Sequence, residues 1–128
     1  MSELSYTKLL SGSTNGRQIP VAAASTPGTL IHTTPSIAGT SDVYDQIFIY
    51  AVNNAVSNQN VTIEFGGTTS TQDLIPYTIA PNVGLVVVVP GLLLNNNLSV
   101  RAYGSSSINL SGYVCRIPVN SQGLTNLQ

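Results

Sequence analysis

The sequence predicts an all-β protein, an antiparallel β-sandwich or jelly roll of about eight strands. Three observations predict it. No window of the 128 residues carries a capped stripe of apolar residues at helical spacing. Apolar, β-branched runs recur between Gly, Pro and Asn turn signals at fairly regular intervals. Two stretches alternate cleanly: Val61, Ile63 and Phe65 against Thr62 and Glu64, then Leu98, Val100 and Ala102 against Ser99, Arg101 and Tyr103. That two-residue period belongs to a strand with one buried face.

In chain order, residues 1–16 read as an N-terminal arm: a small apolar cluster, Tyr6, Leu9 and Leu10, then a turn-rich run ending in Asn15-Gly16. Residues 17–24 suggest a strand, but Pro20 lacks an N–H and belongs on an edge or in a bulge. Pro27-Gly28 turns the chain into a short strand at 29–33. The first long strand spans 42–53, and 60–65 follows it. A strand at 74–80 is interrupted by Pro76, again an edge signal. Residues 83–94, VGLVVVVPGLLL, form the driest stretch. They are too short for a bilayer, which takes about 20 apolar residues. The expectation is a central strand buried on both faces, with Pro90-Gly91 as a turn. Strands at 98–103 and 108–117 complete the set, and 118–128 reads as an extended polar tail. The whole chain, 1–128, reads as one domain.

Four Lys and Arg and five Asp and Glu give a net charge of −1, with 7% of residues charged. An average domain has about a quarter. Four scattered cations make no basic stripe, so nucleic-acid binding is not expected. No membrane partner is expected either. The single Cys115 excludes an internal disulfide. The opening MSELSYTKLLSG shows no basic region followed by an apolar one, so synthesis in a cytoplasm without general export is expected.

Groups that carry chemistry are sparse. His32 and Cys115 are each the only one of their kind, and neither sits in a nucleophile signature. Asp42 and Asp45, three apart on a strand, point to opposite faces and read as a solvated strand start. Glu64 and Asp73 are expected to pair with Arg101 or Arg116, the few countercharges available. The loop GSTNG at 12–16 lacks the Lys and the helix of a phosphate loop. No catalytic residue, cofactor or metal is expected. Six Tyr and no Trp argue mildly against a carbohydrate-binding module, although Tyr can serve as a platform.

The order of LLSGSTNGRQIPVAA, TPGTLIHT, VTIEFGGTT, APNVGLVVVVPGLLLNNNLSVRAYG and INLSGYVCRI resembles small virion proteins of tailed bacteriophages, including those of cyanobacteria. Within that group the likeness is to capsid cement or decoration proteins, and it covers Leu9 to Ile117. It implies a β-sandwich on the capsid surface of a virion, made in the host cytoplasm. The implied partners are the major capsid protein and further copies of the chain, as a dimer or trimer. A tail or fibre accessory that grips glycans is the alternative. From the residues, the arm with Tyr6, Lys8, Leu9, Leu10 and Arg17 is the expected docking element; the competing expectation is that Leu9 and Leu10 begin the first core strand.

Overall fold

The computed structural model describes residues 5–36 and 41–120. Among these there is no helix; nine strands form two antiparallel sheets. They are β1 (Tyr6–Leu9), β2 (Ile19–Pro20), β3 (Thr29–Thr33), β4 (Ser41–Asn53), β5 (Gln59–Phe65), β6 (Leu74–Ile79), β7 (Val86–Asn95), β8 (Ser99–Gly104) and β9 (Ile108–Asn120). Sheet A has the order β1-β9-β4-β7, with β2 also on β9; sheet B has the order β3-β8-β5-β6. β1 and β2 pair with different halves of β9, so together they make one interrupted edge. Among the described residues, β5–β6 is the only consecutive hairpin; from β2 onward every other connection crosses between sheets.

The core lies between the two inner faces. Sheet A contributes Ile47, Ile49, Ala51, Val88, Val89, Leu110 and Val114; sheet B contributes Ile31, Val61, Ile63, Ile79, Val100 and Ala102. The alternation in β5 and β8 explains why those strands present one apolar row each. β4 and β9 run side by side over their whole lengths, from Ser41 opposite Asn120 to Asn53 opposite Ile108. Gly112 makes this close pairing possible. A Cβ there would run into the Phe48 carbonyl, and its φ of +149° disfavours any other residue.

Two expectations need correction. The run 83–94 is not the central strand. β7 pairs only with β4 and is an edge of sheet A, while β4 and β9 are central. Nor is Pro90-Gly91 a turn: both lie inside β7, at a register shift that leaves Gly91 without a partner on β4. A second shift leaves Val88 unpaired, so Val88 and Val89 both turn inward in succession. A bulge, not two-sided burial, therefore places Val88 and Val89 side by side in the core, while Val87 faces outward at 46% exposure. Pro90 is tolerated because an edge bulge needs no N–H there. The edge assignments of Pro20 and Pro76 hold, in β2 and β6.

The termini differ as well. β1 makes the arm part of sheet A, and β9 carries the supposed tail on to Asn120. Residues 1–4 of the arm and 121–128 of the tail lie outside the described residues.

The glycines give a direct check. Gly112→Ala is expected to lower thermal stability far more than Gly84→Ala. Gly84 also has a positive φ, +73°, but a Cβ there meets nothing within 4 Å, leaving only a backbone cost of about 1–2 kcal/mol. Paired melting curves test this.

Candidate docking surface

Beneath β1 lies a buried polar network. Asp45 is fully buried, and its register partner on β9 is Arg116. Arg116 donates to both carboxylate oxygens, Nε to Oδ1 at 2.8 Å and Nη2 to Oδ2 at 3.0 Å. His32, also buried, lies 2.6 Å from Oδ2 through Nε2. The Ser11 backbone N–H donates to His32 Nδ1 at 3.0 Å. An accepting Nδ1 carries no proton, so Nε2–H is the donor to Asp45 and the imidazole is neutral.

Charge follows from this wiring. Burial lowers the His32 pKa from its ordinary 6.5, and the Asp45 carboxylate opposes that only in part. Burial pushes the Asp45 carboxyl upward, but the hydrogen bonds from Arg116 and His32 together outweigh it, and its pKa lies below the usual value. The bond to Asp45 raises Arg116 further.

The trio Ser11, His32 and Asp45 has the residue types of a hydrolase relay but not its connections. Ser11 meets His32 through its amide, while its Oγ accepts from the Thr33 N–H at 2.7 Å. With Nδ1 taken by an amide, no imidazole lone pair faces a hydroxyl. Cys115 does not meet His32 either: it lies on the outward row of β9, the opposite side of sheet A from the core. Among the described residues no group of three His, Cys, Asp or Glu could hold a metal ion.

The expected ion pairs are redistributed. Asp45 is not solvated but buried, and it takes Arg116. Glu64 is buried on the outer side of sheet B, where it accepts from Thr26 Oγ1 at 2.5 Å and the Gly28 N–H at 2.7 Å. Arg101 donates to the Gly28 carbonyl at 3.1 Å. The two side chains therefore hold the 26–28 loop from both ends of one residue and make no ion pair with each other. Asp73 accepts from the Thr69 N–H and closes its own loop. Every buried side-chain polar atom among the described residues has a partner.

What remains free is on the outside. All four side chains of β1 are exposed, and the strand is held by its ladder to β9. Lys8 reaches over the Tyr6 ring, 5.9 Å from its centroid. Leu9 is 55% exposed, whereas Leu10 is 2% exposed and belongs to the core. Leu10 is thus removed from the expected docking set, and the two leucines divide between the two expectations. Arg17 is exposed beside Pro20 and Asn109, away from the Lys8 end of β1. The structure groups Tyr6, Lys8 and Leu9 on one edge and places Arg17 on the neighbouring turn.

Sequence reading missed a second feature. The outward rows of sheet A carry Tyr44, Phe48 and Tyr50 on β4, Tyr113 on β9, and Val87, Pro90 and Leu93 on β7. Phe48 and Tyr113 are stacked, with centroids 4.9 Å apart. Gly91 leaves room for this ring: a Cβ there would sit 2.8 Å from Phe48 Cε2. The signal was present in the sequence as apolar residues at both parities of 47–52.

Comparison with protein-family models, curated proteins and solved structures returns no match for this chain.

The buried network generates a pH dependence. As pH falls through about 6.5, the unfolded chain takes up a proton on His32 that the folded chain refuses, so stability declines from neutral pH downward. A second decline follows below the usual carboxylate range, where Asp45 must be protonated. Denaturant melts between pH 7.5 and 2 should show both limbs, and His32→Gln should remove the upper one. Asp45→Asn should cost about 3–5 kcal/mol at pH 7, because it strips Arg116 and His32 of their shared acceptor.

Proposed function

We propose that this chain is a structural virion protein, a non-enzymatic capsid cement or decoration subunit that binds the outside of an assembled phage shell. The observation that carries the reading is β1. A four-residue strand that buries none of its side chains contributes hydrogen bonds but almost no core. Such a strand gains its burial from a partner. With Tyr6, Lys8 and Leu9 along the edge and Arg17 on the adjoining turn, it offers a mixed apolar and cationic docking strip to the major capsid protein.

Two further features support the proposal. The polar side chains in the interior are consumed in holding loops and strands together. The strand order, two four-membered paths with crossings between sheets, supports a jelly-roll reading, and jelly rolls recur in viral shells and in lectins. That last likeness is one of fold alone.

The mechanism is linkage. A subunit that binds only the closed shell stabilises it by mass action. Copies that straddle neighbouring capsomers raise the number of contacts that must break together. No bond is made or cut, and no cofactor takes part.

One observation favours a second reading, a glycan-gripping tail or fibre accessory. Tyr44, Phe48, Tyr50 and Tyr113 share the outer face of sheet A. Aromatic faces stack on sugar rings. Against it, Phe48 and Tyr113 stack on each other and present less free ring face.

Co-sedimentation with shells stripped of this protein separates the readings. The wild type should bind saturably and raise the temperature at which shells open. Lys8→Glu with Arg17→Glu should weaken binding at least tenfold while leaving the melting temperature of the free protein within a few degrees. Shells that bind nothing, together with a signal on a glycan array, would replace the first reading by the second.

A further inference from the structure

We propose that two copies of this chain associate through the outer faces of their sheets A, stacked on each other about a two-fold axis. This surface takes in Leu9 on the outward row of β1 but not Tyr6, Lys8 or Arg17, and it does not depend on the shell reading.

Charge supplies the first argument. Over the stretch from Tyr44 to Val52 on β4 and the positions paired with it on β9 and β7, the outward rows of sheet A carry no Asp, Glu, Lys or Arg. A two-fold contact sets the same patch against itself, so every charge on it meets a like charge near the axis. An uncharged patch meets its own copy without that conflict. A partner of another kind would normally be selected by complementary charge, for which this face has nothing to offer.

Area supplies the second. Four strands about 4.8 Å apart, over the stretch from Tyr44 to Val52 at about 3.4 Å per residue, give a face of roughly 19 by 27 Å. Two such faces in contact remove on the order of 1,000 Å² or more from water, at the lower end of what a specific interface needs. Val87 and Leu93 are 46% and 55% exposed, so substantial apolar surface remains to be covered. The stacked Phe48–Tyr113 pair lies on the two central strands, midway along the face, where binding energy concentrates.

The third argument concerns mode. Growth of the sheet through the β7 edge is blocked by Pro90 and by the two bulges, which break the row of hydrogen-bonding groups. Face-to-face stacking, at the ordinary sheet spacing of about 10 Å, needs no such row.

Sedimentation velocity of the purified full chain tests the proposal. The wild type should run as a dimer at micromolar concentration. Val87→Lys and Leu93→Lys, at exposed positions on β7, should each raise the dimer dissociation constant at least tenfold with an unchanged circular dichroism spectrum. Val56→Lys, at a loop residue 96% exposed, should leave the dimer intact. A wild type that stays monomeric at 100 μM, a trimer, or a dimer indifferent to both β7 variants would each overturn the proposal. So would a monomer whose binding to shells or to glycans is lost in the same two variants, since the face would then belong to that partner. Lys8→Glu with Arg17→Glu, which weakens shell binding in the reading above, should not disturb the dimer, so the two ideas fail separately.

Discussion

The pairing of β4 with β9 is the constraint on which the rest depends. Thirteen register pairs join the two strands without a bulge, and every other strand of sheet A hangs from one of them. The ladder also sets Asp45 opposite Arg116, so a two-bond ion pair in the interior is a cross-strand pair on it. Desolvating a carboxylate is expensive unless its lone pairs are taken. Arg116 and His32 take them, and His32 in turn anchors the Ser11 amide. Through that chain of bonds the ladder holds β3 of sheet B and the turn that follows β1.

Much of the fold was legible because it follows from side-chain period and turn chemistry. β3, β5, β6 and β8 appear within a residue or two of where alternation and turns put them, and Pro20 and Pro76 mark edges. β7 was misread for a physical reason. An unbroken apolar run arises from burial on both faces, or from a bulge that turns two successive residues inward beside an exposed apolar row, and sequence does not distinguish the two. The proline rule that placed β2 and β6 at edges also applied to Pro90, where the Pro-Gly turn signal masked it.

The polar network was less legible than the strands. Asp45 and Arg116 are 71 residues apart, and only the β4–β9 register makes them neighbours. Glu64 belongs to the polar outward row of β5 and looks solvated until the 26–28 loop folds over it. The docking strip was partly legible: Tyr6, Lys8 and Leu9 are exposed together, but the inward turn of Leu10 depends on where β1 ends.

The low charge and the outer face of sheet A are consequences of one another. A sandwich that lived alone in water would gain from charged side chains on its outward rows, which oppose association at almost no cost to the fold. Here the middle of those rows on sheet A is largely aromatic and aliphatic, and Glu64, Arg101 and Arg116 are drawn to the 26–28 loop or to Asp45, leaving Lys8 and Arg17 exposed at the β1 edge. Removing charge from a surface weakens self-repulsion and long-range steering together. What survives is short-range contact, which rewards a surface for staying covered. On the two proposals above, the composition and the geometry describe a single property: covering sheet A and the β1 edge would remove from water the apolar surface that the fold leaves exposed.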